Sequence, residues 1–348
     1  MTRDGWERDS ATAGRPGTWV DELRETSPEA TSPLTEASRL GDLASRRSVD
    51  ESRTGHTSDT GRERETDEDS RSPLVTALCR AADFDDLELM GSPTDHRYGR
   101  VVAARARVDG RSYDLQLRLF RRPEDGDAEF AAALADQLDR WGAVADLDGV
   151  VPVLDSGGDP RPWTCTAPVG ATLADGVPTS FSATLRTARW LSATLAAVHD
   201  RGVCHTGLDP THVVSVPGTE RPLLDSVGLL DVYRRYTDPA SALDPRYAPP
   251  EYFDDRYGVA DRTTDVYGLG AILYYLFTGE HPYGGSLADV RESVLTKPFP
   301  RPSAVADVPD GVDDIVSRAT ETDAFDRYTS ARGLHEDLQD LCLWLLDE

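Results

Sequence analysis

Hydrophobic and polar positions divide this chain into two parts of different character. Two runs of strand-forming residues, 101–108 and 113–120, flank Asp109-Gly110, a hairpin signal. Residues 87–90 lead into these strands, 74–81 read as a short helix, and 127–141 carry a helical repeat. A short apolar strand is expected at 150–154, and a second hairpin centred on Gly157-Gly158 returns through 163–166. After Gly170 the pattern changes. Residues 184–200 and 261–278 read as amphipathic helices, with two more helices at 310–320 and 330–346. A small strand-rich half followed by a larger helical half is an α+β pattern.

Residues 1–72 follow neither pattern. Ser, Thr, Asp, Glu and Arg dominate there, and Trp6 and Trp19 are the only aromatic residues. Such a segment buries too little apolar surface to offset its ordering entropy, so a disordered tail is expected, with order beginning near Pro73. The rest of the chain, to residue 348, is long enough for one large domain with its own core.

Charge narrows the partners. The formal net charge of −25 would repel phosphates, so nucleic acid is not an expected partner. Positive charge is carried by arginine, and Lys297 is the single lysine. An acidic chain so poor in lysine suggests a salt-rich cytoplasm, where screening removes most self-repulsion; codon bias alone is the simpler alternative. The four cysteines, Cys79, Cys165, Cys204 and Cys342, lie far apart without C-x-x-C spacing. That fits reduced intracellular thiols rather than a disulfide framework or zinc site. No signal-peptide-like or membrane-length apolar stretch is visible, so a soluble cytoplasmic protein without membrane contact is expected.

Four motifs in the helical half carry a resemblance. Thr264-Asp265-Val266-Tyr267-Gly268-Leu269-Gly270, followed by Leu276-Phe277-Thr278-Gly279 and His281-Pro282-Tyr283, resembles the D-x-[WY]-[SG]-L-G helix of Ser/Thr protein kinases. Ala248-Pro249-Pro250-Glu251 resembles that family's A-P-E element, and Asp326-Arg327-Tyr328 its D-x-R-[YP] turn. The resemblance implies a two-lobed kinase-like fold, with an N-lobe at about 73–168 and a C-lobe at about 169–348. It also implies structural anchors: a buried Asp265 accepting bonds from the backbone of a catalytic loop, a Glu251–Arg327 ion pair, and His205 in the core beneath the site.

The same resemblance places the chemistry, and there the residues depart from the family. Phosphoryl transfer on this fold uses a glycine-rich loop, a strand lysine paired with a helix glutamate, a base aspartate, and an asparagine and aspartate that hold magnesium. The loop position is residues 91–101, where Gly91, Gly99 and Val101 match the family, while Pro93 and Asp95 do not; an ordinary β-turn is the alternative. The lysine position is Arg118, with Gln116 where a small residue leaves room for adenine, and the glutamate position is near Gln137. Residues 205–214 resemble the H-R-D-L-K-P-E-N run. They put Thr206 at the arginine, Gly207 at the base, Asp209 at the lysine and His212 at the magnesium asparagine. Aligning Val227-Gly228-Leu229 with F-G-L puts Ser226 at the metal aspartate, and strand alternation then points Asp225 away.

The leading reading is therefore a pseudokinase that binds a protein partner in signalling, with no catalytic residues, no metal site and no need for ATP or magnesium. Two rivals stand beside it. One is an atypical kinase using ATP and magnesium, in which Asp209 or Asp225 has taken a catalytic role. The other is a nucleotide sensor that contacts a base through the backbone near Val169.

Overall fold

A computed structural model describes residues 73–347, apart from 83, 124–127, 160, 216–220 and 238–241. The tail expected at 1–72 lies outside the described residues. The chain begins with helix α1 (Pro73–Ala81) and strands β1 (Asp86–Leu89), β2 (Thr94–His96), β3 (Gly99–Val108) and β4 (Arg111–Phe120). Helix α2 (Ala128–Gly142) and strands β5 (Val153–Gly157) and β6 (Trp163–Thr166) complete this half. The sheet runs β1-β3-β4-β6-β5, with β2 paired to β3. Asp109 and Gly110 both take positive φ, 50° and 75°, as a two-residue hairpin turn between right-twisted strands requires.

Alternation along β4 sorts its side chains between two environments. Leu115, Leu117 and Leu119 join Val102, Ala104 and Ala106 in a core covered by Val75 and Leu78 of α1. Gln116, Arg118 and Phe120 face the other way. Phe120 belongs to a second core, with Phe130, Leu134 and Trp141 of α2.

The second half carries helix α3 (Phe181–Asp200), the short pair β7 (Val213–Ser215) and β8 (Pro222–Leu224), and helix α4 (Leu229–Tyr233). Helices α5 (Arg262–Thr278), α6 (Leu287–Thr296), α7 (Asp310–Ala319) and α8 (Ala331–Asp347) follow. Ser180 caps α3 by accepting from the Ala183 N–H at 3.2 Å, so that helix starts earlier than the expected 184. The expected strand at 150–154 begins only at Val153, and Val150 makes an isolated bridge to Leu224. Helix α5 was expected to be amphipathic. It is instead buried on every side from Thr264 to Leu276, as a central helix must be when α3, α7 and α8 surround it. Among the described residues no helix is long and apolar enough to cross a membrane.

Two buried groups fix the segments that line the space between the halves. Asp265 accepts from the His205 N–H at 2.7 Å, the Thr206 N–H at 2.6 Å and His199 Nε2 at 2.9 Å. Arg327 grips Glu251 with two parallel bonds of 2.9 Å each. Both contacts match the expectation from the motifs. Arg327→Ala should lower the unfolding free energy by roughly 3–5 kcal/mol, because Glu251 stays buried and unpaired. Asp265→Asn should cost about 1–3 kcal/mol for each donor it strands. Urea midpoints at unchanged slope are the check, and parent-like midpoints would contradict these roles.

Candidate functional site

Between the halves, buried charges pair with each other. Arg118, 2 % exposed, donates to Asp225 Oδ2 and to Ser226 Oγ, each at 2.7 Å, and its guanidinium lies 5.6 Å from the Trp141 ring centre. Gln137 on α2 takes no part in this pair. Its Nε2 donates to the Val227 carbonyl at 3.2 Å, directly over Gly228. A side chain at Gly228 would meet Gln137 Nε2 at 1.9 Å, and its φ of 73° also favours glycine.

The segment 205–212 forms the floor. His205 Nε2 donates to the Asp225 carbonyl at 2.9 Å. His212 donates through Nδ1 to the Gly207 carbonyl at 2.7 Å, which leaves Nε2 as a buried lone pair without a partner. Asp209 accepts from the Thr211 N–H at 2.8 Å and pairs with Arg97 from the β2–β3 turn.

That turn reaches into the cleft. Tyr98 is 1 % exposed and stacks on His212, with ring centres 5.6 Å apart and planes 8° from parallel. A β-carbon on Gly207 would lie 2.8 Å from Leu230 Cβ and 3.4 Å from the Tyr98 hydroxyl. The space left beside Gly207, between Arg97, Asp209 and Leu230, is about 10 Å³. That is room for about one water molecule.

The chain has sequence relatives among known proteins. The chain is 32 % identical over 150 residues to the serine/threonine-protein kinase PknL of Mycobacterium tuberculosis, covering 42 % of this chain and 37 % of that one. It is 34 % identical over 175 residues to PkaA of Streptomyces coelicolor, covering 46 % and 30 %. Against the DNA damage-responsive serine/threonine-protein kinase RqkA of Deinococcus radiodurans it is 29 % identical over 263 residues, covering 71 % and 37 %. Its relatives are Ser/Thr protein kinases. The chain covers little more than a third of the length of the first of these. No family model matches it.

Set beside that kinase pattern, several expectations change. Asp225 was expected to point away and Ser226 to hold the metal position. Asp225 instead faces the cleft, because the chain turns sharply at Ser226, where φ is 63°, and strand alternation ends at Leu224. Asp209, expected to repel phosphate, is neutralised by Arg97. The loop position is a hairpin: Gly91 lies in open space, Val101 pairs with Arg118, and a side chain on Gly99 would meet the Leu119 carbonyl at 2.1 Å. Val169 is half-buried against the second core. Among the described residues the one metal-like grouping is His199, Cys204 and Asp265. Asp265 there is already occupied by backbone donors. The sequence reading did not single out Arg97, Tyr98, Leu230 or Tyr233. An arginine and a tyrosine beside Gly99, in a loop meant to approach phosphate, were the available signal.

Burial sets the protonation of the cleft. His96, beside Arg118, is pushed down to about 3 and His212 to about 4, by desolvation first and charged neighbours second. Burial alone would raise both aspartates. The Arg118 guanidinium nevertheless holds Asp225 below its usual range, while His212 and Arg97 hold Asp209 at about 2. Between the ordinary histidine value of 6.5 and about 4, the unfolded chain binds protons that the folded one refuses. Stability is therefore fully present above 6.5 and falls as pH drops through that window. His212→Asn, which keeps a donor for the Gly207 carbonyl, should flatten this slope in urea melts across the window. An unchanged slope would contradict the assignment.

Proposed function

We propose that the chain is a two-lobed protein-kinase-like module, with lobes at 73–168 and 169–348. On this reading it acts as a pseudokinase, binding a protein partner in signalling or regulation without transferring phosphate. The observation that carries the reading is at Gly207. The position that needs a proton acceptor has no side chain, and Leu230 and Tyr98 fill the space one would use.

The residues around it do not fit magnesium and ATP. Arg118 is spent on Asp225 and Ser226, His212 offers one borderline nitrogen to a cation that prefers oxygen, and Tyr98 lies across the floor. The low lysine content and net charge of −25 support a salt-rich cytoplasm as the working environment.

One observation favours the rival enzyme. Asp225 faces the cleft, and its Oδ1 has no hydrogen-bond partner. If that oxygen held a metal, phosphoryl transfer would depend on it. The test is a transfer assay in concentrated potassium chloride on the parent, Gly207→Asp and Asp225→Asn. All three should be inactive, since transfer depends chiefly on positioning and charge neutralisation. Gly207→Asp should also lose stability as Leu230 is displaced. Activity in the parent that Asp225→Asn abolishes, with the fold intact, would establish the rival.

A further inference from the structure

Contacts from helix α4 and from the floor segment join the β2–β3 turn to the helical half. Tyr233, at the end of α4, donates its hydroxyl toward both the Tyr98 carbonyl at 2.9 Å and the Arg121 carbonyl at 2.8 Å. Its ring centre lies 4.9 Å from that of Tyr98. Leu230 on the same helix closes over Gly207. Arg97, next to Tyr98, pairs with Asp209 across the cleft. The turn and α4 are therefore bound to each other and to the floor, and neither can leave without disturbing the other.

The closed arrangement is also incompletely satisfied. The Tyr98 hydroxyl, His96 Nδ1 and His212 Nε2 are buried without hydrogen-bond partners. Each group loses hydration on closing and recovers it on opening, which narrows the gap between the two states. A tightly bound plug would have its polar atoms paired. This one is held by contacts around the phenol rather than by the phenol's own hydroxyl.

We propose that the turn at Arg97-Tyr98 and helix α4 form one releasable plug, in which the chain's own side chains fill its cleft and Tyr233 is the latch. Opening the cleft and freeing α4 are then a single event. The coupling stands whether or not the protein transfers phosphate.

Hydrogen exchange on the full chain, without nucleotide, tests it through paired variants. Tyr233→Phe removes only the latch hydroxyl. It should speed amide exchange in 94–101 and in 229–237 together, by roughly tenfold, while the centre of α5 keeps the parent rate. Arg97→Ala should also speed both segments. Tyr98→Phe should speed neither, because the hydroxyl it removes has no partner. Faster exchange confined to 229–237 in Tyr233→Phe would overturn the coupling, as would parent-like exchange in both segments. Faster exchange in Tyr98→Phe would overturn the claim that its hydroxyl does not hold the cleft closed. If Tyr233→Phe also speeds exchange at the centre of α5, the effect is global unfolding and the latch role is lost.

Discussion

The ion pair between Arg118 and Asp225 is the constraint on which the cleft depends. Neither charge can be withdrawn from water alone, and at 2.7 Å each is the other's compensation. The pair needs Ser226 to turn the chain, Trp141 beneath the guanidinium, and the Asp225 carbonyl held by His205. In its kinase relatives the corresponding positive charge is expected to grip phosphate and a helix carboxylate. Here Gln137 offers no carboxylate and bonds the Val227 carbonyl instead, so the arginine turns to the remaining acid.

The same logic explains Arg97. Asp209 is buried, and a buried carboxylate demands a cation. Arg97 supplies it from the opposite half, which draws the Tyr98 ring onto His212. Gly207 carries no side chain, and Leu230 occupies the space beside it. Each buried charge thus has a partner within the chain itself, and together these contacts line the cleft.

Much of the frame was legible in the sequence, because its determinants are local. Asp109-Gly110 marked the hairpin, and Asp265, Glu251 and Arg327 marked contacts whose partners a motif places. Helix α4 was not legible, since five residues carry too little periodicity to register. Nor was the direction of Asp225, which depends on a positive φ at a serine that no propensity favours. The plug itself is a long-range matter. Arg97 and Asp209 are 112 positions apart, and only the packed chain shows that they meet.

On the proposed reading, Tyr98, His212 and Leu230 occupy space that a nucleotide would need. Calorimetric titration of magnesium and ATP into the full chain, in concentrated potassium chloride, tests it most directly. The account predicts no saturable heat up to about 1 mM nucleotide. A magnesium-dependent dissociation constant in the micromolar range would contradict it.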